Sequence, residues 1–153
     1  MTYILYTDGG CRGNPGKGGW GYHLITSENK IIEDCGFEKY TTNNKMEMAA
    51  VLEGCSRIPY SSTVTIYTDS TYVKNGITKW ILNWKQNNWQ TSAKKPVKNQ
   101  KYWVALDDLN KHYNITWKWV KGHANIYGNE RADALANQAM DQNSSNTLIN
   151  SLS

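Results

Sequence analysis

The chain is poor in cysteine, with three scattered thiols at Cys11, Cys35 and Cys55 in 153 residues. None of them belongs to a Cys-x-x-Cys pair, which argues against a zinc site and favours reduced thiols in a cytoplasmic compartment. No apolar run approaches the roughly 20 residues that a membrane-spanning helix needs. The first residues have neither a basic segment nor a cleavage pattern, so we expect no signal peptide.

The sequence also lacks internal repeats and any sign of a second domain. Its length suits one domain with a single core. We expect that domain to span residues 1–141 and to be followed by a disordered tail over residues 142–153, which are rich in serine and asparagine and have no charged side chain. We see no surplus apolar helix face, so we expect a monomer without an obligate protein partner.

Positive charge is concentrated in one segment of the chain. Residues 74–121 contain ten lysines against two acidic residues, whereas the whole chain has a net charge of +4. The same segment holds six of the seven tryptophans. Lysines interleaved with aromatic residues are typical of surfaces that follow a nucleic-acid backbone. A solvated helical face above a tryptophan core would explain the aromatic residues, but it would not explain why the lysines cluster.

Hydrophobic patterns predict an α/β fold. Three short apolar segments joined by turns indicate an antiparallel meander, and the later strands alternate with helices, which implies a mixed sheet flanked by helices. The predicted strands cover residues 3–8, 20–26, 30–38, 64–67 and 115–120. The predicted helices begin around residue 44 and cover 72–85, with a break near Gly76, 100–112 and 129–140. We expect a turn at residues 13–19 and loops at 87–99 and 122–125.

Four carboxylates occur where a hydrophobic segment meets a polar one: Asp8, Glu47, Asp69 and Asp133. A carboxylate at the end of a buried strand is costly unless something compensates its charge. A divalent cation is the simplest compensator that four distant parts of the chain could share. Because all the ligands are oxygens, a hard ion such as Mg²⁺ or Mn²⁺ is favoured. This set predicts metal-assisted chemistry on a phosphate ester.

Ordinary structural roles could also explain two of these carboxylates. Asp69 could cap a helix together with Ser70, and Glu47 could interact with the helix dipole from the first turn of its helix. Asp133 lies inside a helical pattern, where no capping role is possible. Both roles are compatible with metal binding, and we favour the metal site for the set.

Six stretches of the sequence together resemble a known family, bacterial-type ribonuclease H of type 1, or ribonuclease HI. They are TDGGCRGNPGKGGWG (7–21), TTNNKMEMAAVLEG (41–54), TDSTYVKNGITKWILNW (68–84), KKPVKN (94–99), WVKGHA (119–124) and NERADALA (129–136). The resemblance covers residues 3–141. It implies a ribonuclease H-like fold, with a five-stranded mixed sheet flanked by helices and a basic helical protrusion over residues 80–98.

The resemblance also implies an activity. The family's members are endonucleases that hydrolyse the RNA strand of RNA/DNA hybrids by two-metal, in-line attack of water, leaving 3′-hydroxyl and 5′-phosphate ends. Asp8, Glu47, Asp69 and Asp133 match the residues that hold two Mg²⁺ ions in the presence of substrate, with Mn²⁺ as a substitute and Asp8 bridging both. His123 matches a histidine that assists proton transfer or product release. Glu130 matches either a metal or water contact or a simple first-turn acid; His23 and His112 receive no role.

Substrate contacts are implied by the same resemblance. Those expected to read the minor groove are Cys11, Asn14, Asn43, Asn44 and Thr71, with Cys11 acting through its backbone in a turn. Thr42 and Asn75 match a phosphate pocket, and Trp80 matches a DNA channel. The basic protrusion would contact phosphates through Lys85, Lys94, Lys95 and Lys98.

Three departures from the family pattern concern affinity. Relatives often carry glutamine where this chain has Thr71, arginine where it has Tyr40, and more basic residues where it has Gln86-Asn87-Asn88. We therefore expect weaker hybrid binding at physiological salt.

Three alternatives share parts of the pattern: a non-catalytic hybrid-binding module, an integrase-type strand-transfer enzyme, and a domain of a reverse transcriptase. The complete acidic set, the full set of motifs, the protrusion and the start at Met1 favour a free-standing nuclease.

Overall fold

The computed structural model describes residues 2–121 and 126–143 and contains one five-stranded sheet. The strands are β1 (Thr2–Arg12), β2 (Gly16–Ile25), β3 (Ile31–Thr41), β4 (Thr63–Thr68) and β5 (Asn114–Trp119). Their spatial order is β3-β2-β1-β4-β5. β1, β2 and β3 pair antiparallel, whereas β4 pairs parallel with both β1 and β5. The predicted mixed sheet with an antiparallel meander is therefore confirmed.

Helices lie on both faces of the sheet. They are α1 (Asn43–Cys55), α2 (Thr71–Asn75), a π-helical turn (Gly76–Trp80), α3 (Ile81–Gln86), α4 (Gln100–His112) and α5 (Tyr127–Gln142). The largest hydrophobic cluster joins side chains of the sheet, such as Leu5 and Ile66, to α1 and to Trp103 of α4. α5 packs on β2, β1 and β3. Within the described residues, no helix is long and apolar enough to cross a membrane.

The first strand is longer than its apolar pattern predicts. We expected β1 to end at Asp8 and a turn to occupy residues 13–19, but β1 continues to Arg12 and β2 already begins at Gly16. Glycines occupy paired positions in this hairpin: Gly9 lies opposite Trp20, and Gly10 lies opposite Gly19. Backbone hydrogen bonding therefore continues through a stretch whose composition suggests a loop. Cys11 consequently lies in a strand and not in a turn.

A break was predicted near Gly76, and the helical segment after β4 does change from α-helix to π-helix there, but the chain stays helical. The backbone of Gly76 is helical, at φ −62° and ψ −48°, and the chain widens into a π-helical turn before α3. A Cβ atom at this position would overlap the ring of Trp103. Glycine is thus required here because α4 approaches closely, and it does not interrupt the helix.

Other differences concern the ends of elements. Residues 87–99 were predicted as an exposed loop, yet Gln90 and Pro96 form an isolated bridge and Val97 is buried. α5 starts two residues before the predicted 129 and ends at Gln142, which we had assigned to the tail. Residues 144–153 and the predicted loop at 122–125 lie outside the described residues.

Candidate active site

Strand pairing brings Asp8 and Asp69 to the same edge of the sheet. β1 and β4 are parallel neighbours, and the last pair in register is Tyr6 with Tyr67. Each aspartate lies two residues beyond its member of that pair. Asp69 directly follows β4, whereas Asp8 lies inside β1 at the point where β1 keeps only its partner β2. Both side chains are half-buried.

A glycine next to Asp8 lets α1 approach the sheet. A Cβ atom on Gly9 would collide with backbone atoms of Met46 and Glu47. This close contact places Glu47 beside Asp8. Glu47 is the fifth residue of α1, so the expectation that it lies in the first turn is wrong. The helix starts earlier because the Thr42 side chain caps it, accepting a hydrogen bond from the backbone N–H of Lys45 at 3.3 Å.

Three carboxylates meet closely, and the fourth lies beside them. Oxygen atoms of Asp8, Glu47 and Asp69 lie within 4.8 Å of one another. Asp133, on α5, lines a cavity of about 60 Å³ together with Asp8, Asp69 and two neighbours on its own helix, Asn129 and Glu130. The structure thus brings together the four carboxylates that the sequence singled out. They come from the interior of β1, from the residue after β4 and from two helices.

Burial and mutual repulsion raise the pKa values within this cluster. The pKa of Asp8 is raised to about 8, first by burial, then by the charge of Asp69 and by contact with Asp133. The pKa of Glu47, which is only 6% exposed, is raised well above its usual range, first by burial and then by the charges of Asp8 and Asp69. The raised pKa values of Asp8 and Glu47 favour their protonated forms unless a cation takes the place of the protons.

Among the residues that the structure describes, two buried oxygens in the cluster have no hydrogen-bond partner: Oε1 of Glu47 and Oδ1 of Asp69. Unsatisfied buried carboxylate oxygens are unfavourable, and a divalent cation would satisfy both. The donor set consists of oxygens alone, which fits Mg²⁺ or Mn²⁺ better than zinc. Helix capping does not explain Asp69, because Ser70 is the N-cap of α2 and accepts from Val73 N–H at 3.1 Å.

Two residues near the carboxylates were not predicted as site residues from the sequence. Asn129 is 5% exposed and lines the same cavity, and its Oδ1 has no hydrogen-bond partner within residues 2–121 and 126–143. Trp119 is 41% exposed at the end of β5, and its indole N–H donates to the backbone carbonyl of Asp69 at 3.1 Å. Asn129 lies within the quoted stretch NERADALA and Trp119 within WVKGHA, so position in a motif was the signal. Neither residue type is diagnostic by itself.

Most of the predicted minor-groove residues form one surface beside the start of α1. The Cys11 thiol lies 3.3 Å from the carbonyl oxygen of Gly16 and 3.4 Å from that of Thr41. The backbone N–H of Asn43 donates to the Asn14 side chain at 3.1 Å. These bonds hold the β1–β2 turn against the N-terminus of α1. Thr71 and Asn75 are the first and last residues of α2, a helix that contacts α1.

A cluster of tryptophans in tilted contact attaches the basic protrusion to α4. The ring centroids of Trp84 lie 5.6 Å from Trp103, 5.9 Å from Trp80 and 6.3 Å from Trp89. The lysines at 94, 95 and 98 are exposed, whereas Lys85 pairs with Asp107 at 3.2 Å. Lys85 is thus partly neutralised by α4. His123, the remaining predicted catalytic residue, lies outside the described residues.

Comparison with known proteins gives concordant matches. A family model described as RNase H matches residues 1–141. A protein named Ribonuclease H from Hydrogenovibrio crunogenus (strain DSM 25203 / XCL-2) is 56% identical over 138 residues, which is 90% of this chain and 94% of that protein. LC9-RNase H1, a type 1 RNase H with the type 2 active-site motif, has a TM-score of 0.81 at 26% identity, covering 95% of this chain and 74% of that one. LC11-RNase H1, solved in complex with an RNA/DNA hybrid, has a TM-score of 0.66 at 23% identity, covering 92% and 97%.

Proposed function

This chain belongs to the ribonuclease H family, and we propose that its four clustered carboxylates cut the RNA strand of RNA/DNA hybrids with two divalent cations. Family membership makes it a ribonuclease H, an endonuclease for the RNA strand of hybrids. The close group of Asp8, Glu47 and Asp69, with two unpartnered oxygens, is the observation that carries the proposed metal site.

The proposed roles follow from the position of each side chain. Asp8 lies next to the other three carboxylates and is our candidate for contacting both ions. Glu47 and Asp69 would hold one ion from α1 and β4, and Asp133 the other from α5. Bound Mg²⁺ would lower the pKa of an attacking water and stabilise the leaving 3′-oxygen, so that 3′-hydroxyl and 5′-phosphate ends result. Mn²⁺ would substitute, and His123 would assist proton transfer or product release.

Hybrid recognition is assigned to two surfaces. We place the minor groove of the hybrid on Cys11, Asn14, Asn43 and Asn44, and on Thr71 of α2, because backbone and short amide groups can read 2′-hydroxyls. The DNA strand would then run past Thr42, Asn75 and Trp80 toward the basic protrusion, where lysines 94, 95 and 98 are free to contact phosphates. Lys85 would contribute less because Asp107 holds it.

We also propose the extent of the domain, the oligomeric state and the compartment of this protein. The match of the family model to residues 1–141 supports a domain of that extent, with α5 ending at Gln142 and the residues after it as a tail. Cys11, Cys35 and Cys55 form no disulfide with one another, which supports a reducing cytoplasmic compartment. We propose a monomer without an obligate protein partner; light scattering on a sizing column should give a mass near 17.4 kDa.

The decisive experiment is cleavage of a strand-labelled RNA/DNA hybrid with Mg²⁺, alongside RNA/RNA, DNA/DNA and both single strands. We expect cuts only in the RNA strand of the hybrid. Asp8→Asn should lose at least about 10³-fold in rate, because it removes the carboxylate at the centre of the proposed metal site. Chelation with EDTA should abolish cleavage by the unmodified protein, and added Mg²⁺ should restore it.

Two results would contradict this proposal. Binding of the hybrid without cleavage would make the protein a binding module. Cleavage that persists in Asp8→Asn would place the chemistry elsewhere. Glu28→Gln, in the turn between β2 and β3, removes one exposed negative charge far from the carboxylates and should cleave at the normal rate.

A further inference from the structure

His23 was given no role from the sequence, but it lies buried between the sheet and α5. It is 2% exposed, and the edge of the Tyr127 ring at the start of α5 packs against it at 5.6 Å. Its Nδ1 lies 2.6 Å from Oε2 of Glu33 on β3. Because a carboxylate only accepts hydrogen bonds, Nδ1 is the donor. The histidine thus holds Glu33 from the sheet side.

Glu33 is held from the other side by α5. Arg131 donates two hydrogen bonds to its carboxylate, from Nε to Oε2 and from Nη2 to Oε1, both at 2.9 Å. The Arg131 hydrogen bond is the main cause that lowers the pKa of Glu33, and the bond from His23 acts in the same direction. Bidentate arginine–carboxylate pairs fix geometry in two dimensions, unlike a lysine contact. β2, β3 and α5 therefore meet at one ionised carboxylate.

The contact between α5 and the sheet is centred on a glycine seam, with a small hydrophobic cluster of Leu135 and Ala139 against Cys35 and Phe37 at one side. α5 packs over Gly19 and Gly21 of β2, where added Cβ atoms would approach backbone atoms of Ala132 and Ala136 to within 2.6 Å. Helices usually find their register by fitting side-chain ridges into grooves. A glycine seam permits close approach but offers no ridge. The position of α5 along this seam must therefore depend on contacts beside it.

Those contacts have unequal importance for the carboxylate cluster. At its C-terminal end, α5 is tied to β1 by Arg12, which contacts Asp141 and Asn137. Near its N-terminal end, α5 is tied to β3 by the pair of Arg131 and Glu33, and Arg131 lies two residues before Asp133. Of the four carboxylates, α5 carries Asp133 alone. Asp133 does not belong to the group formed by Asp8, Glu47 and Asp69, whose oxygens lie within 4.8 Å of one another. Its distance to Asp8 and Asp69 thus changes whenever α5 shifts.

We propose that Glu33 and Arg131, backed by His23, are positioning residues that set the location of Asp133 relative to the carboxylates of the sheet. This inference rests on the proposed metal site. Groups that orient a metal ligand without touching the metal typically change metal affinity 10–100-fold when they are removed. Loss of this clamp, defined as His23, Glu33 and Arg131, should therefore weaken Mg²⁺ binding before any substrate is present.

The test measures Mg²⁺ binding to the substrate-free protein by NMR titration of backbone amide signals. In Arg131→Met, the half-saturating Mg²⁺ concentration should rise about tenfold. Arg131→Lys keeps the charge but loses the bidentate geometry. Its half-saturating Mg²⁺ concentration should therefore lie between those of Arg131→Met and the unmodified protein. Glu33→Gln keeps the shape of the side chain and should also weaken binding; it replaces Arg131→Met if that variant does not fold.

Arg57→Met is the matched control. Arg57 also pairs with a carboxylate of β3, Asp34 at 3.4 Å, but it holds the turn after α1 and does not contact α5. Arg57→Met should lower the melting temperature about as much as Arg131→Met does, and it should leave the half-saturating Mg²⁺ concentration unchanged. An unchanged value in both Arg131→Met and Glu33→Gln, or an equal rise in Arg57→Met, would overturn the clamp. If Asp133→Asn binds Mg²⁺ like the unmodified protein, Asp133 holds no ion in the absence of substrate and the clamp is overturned; if Asp8→Asn does so as well, the proposed metal site itself has failed.

Discussion

At the scale of single residues, the carboxylate cluster combines a functional gain with a cost in stability. Asp8 and Glu47 are partly or fully buried beside other acids, and their pKa values are raised accordingly. Such an arrangement is unfavourable for the free protein and favourable once cations bind. Active sites often concentrate this kind of perturbed group. The cost of burial falls most on Oε1 of Glu47 and Oδ1 of Asp69, which have no hydrogen-bond partner among the described residues.

The cluster should make the metal-free protein less stable as pH rises. The pKa of Asp8 increases from 3.8 to about 8 on folding, so between these values the folded protein keeps a proton that the unfolded chain releases. Raising the pH through this window therefore favours unfolding. We expect the melting temperature in EDTA to fall between pH 5 and 8. Scanning calorimetry in steps of half a pH unit measures this.

Removal of the Asp8 charge should reverse that trend. In EDTA at pH 8, Asp8→Asn should melt higher than the unmodified protein, by roughly 2–4 °C for each kcal/mol of repulsion removed. Its melting temperature should also depend less on pH. Glu28→Gln, which removes an exposed charge elsewhere, should follow the unmodified protein. A lower melting temperature in Asp8→Asn at pH 8 would count against repulsion in the cluster.

At the scale of elements, close packing of helices on glycines determines where the carboxylates lie. Gly9 admits the backbone of α1, and Gly21 admits that of α5. The two helices supply Glu47 and Asp133 to opposite sides of Asp8. The position of each helix therefore matters to the site as much as the identity of its acidic residue.

Gly9→Ala should damage both stability and catalysis. Its methyl group would overlap the backbone of Met46 and Glu47, which cannot move aside as a flexible side chain can. Overpacking of this kind typically costs about 1–3 kcal/mol. We also expect slower cleavage, because α1 would carry Glu47 away from Asp8. Denaturant unfolding and cleavage assays measure the two effects.

Gly10→Ala is the control for that substitution. The nearest atom to an added Cβ atom at Gly10 is the terminal methyl group of Met140, at 3.4 Å, which is an ordinary contact with a flexible side chain. This variant should keep nearly normal stability and activity. If both substitutions have equal effects, general loss of glycine flexibility, and not contact with α1, explains the result.

At the scale of the whole molecule, charge is distributed so that the substrate meets lysines beside an acidic centre. The chain has a net charge of +4, but most of its excess lysines lie between residues 74 and 121. The carboxylates would repel a phosphate backbone without cations, whereas the protrusion attracts it. Binding and cleavage should therefore respond differently to salt and to Mg²⁺.

Salt dependence should show how many protrusion lysines contact phosphates. With Asp8→Asn as background, the dissociation constant for a hybrid is measured across KCl concentrations at fixed Mg²⁺. Changing Lys94 and Lys95 together to glutamine should flatten the log–log slope by roughly 1.8 if both contact phosphates. Lys30→Gln, on the turn before β3, should leave the slope unchanged. A slope unaffected by the Lys94 and Lys95 changes would remove them from the interface.

The sequence by itself determined the identity of the four carboxylates, the mixed sheet, and the basic, tryptophan-rich segment. Residue types and hydrophobic periodicity carry that information, because they reflect burial and local backbone preference. The family motifs also pointed to the activity. The sequence was less informative about where elements begin and end. Glycines suggested that β1 ends at Asp8, that residues 13–19 form a turn and that the helix breaks near Gly76, because composition does not reveal pairing across strands or a neighbouring tryptophan ring.

Only the tertiary structure decided how the carboxylates are held. It placed Glu47 in the second turn of α1, because Gly9 lets that helix touch the sheet, and it showed Ser70, not Asp69, as the cap of α2. It also joined His23, Glu33 and Arg131, three residues from distant segments with no shared motif. Such contacts depend on distances between elements, which are set by the packing of the whole core and leave no local pattern along the chain.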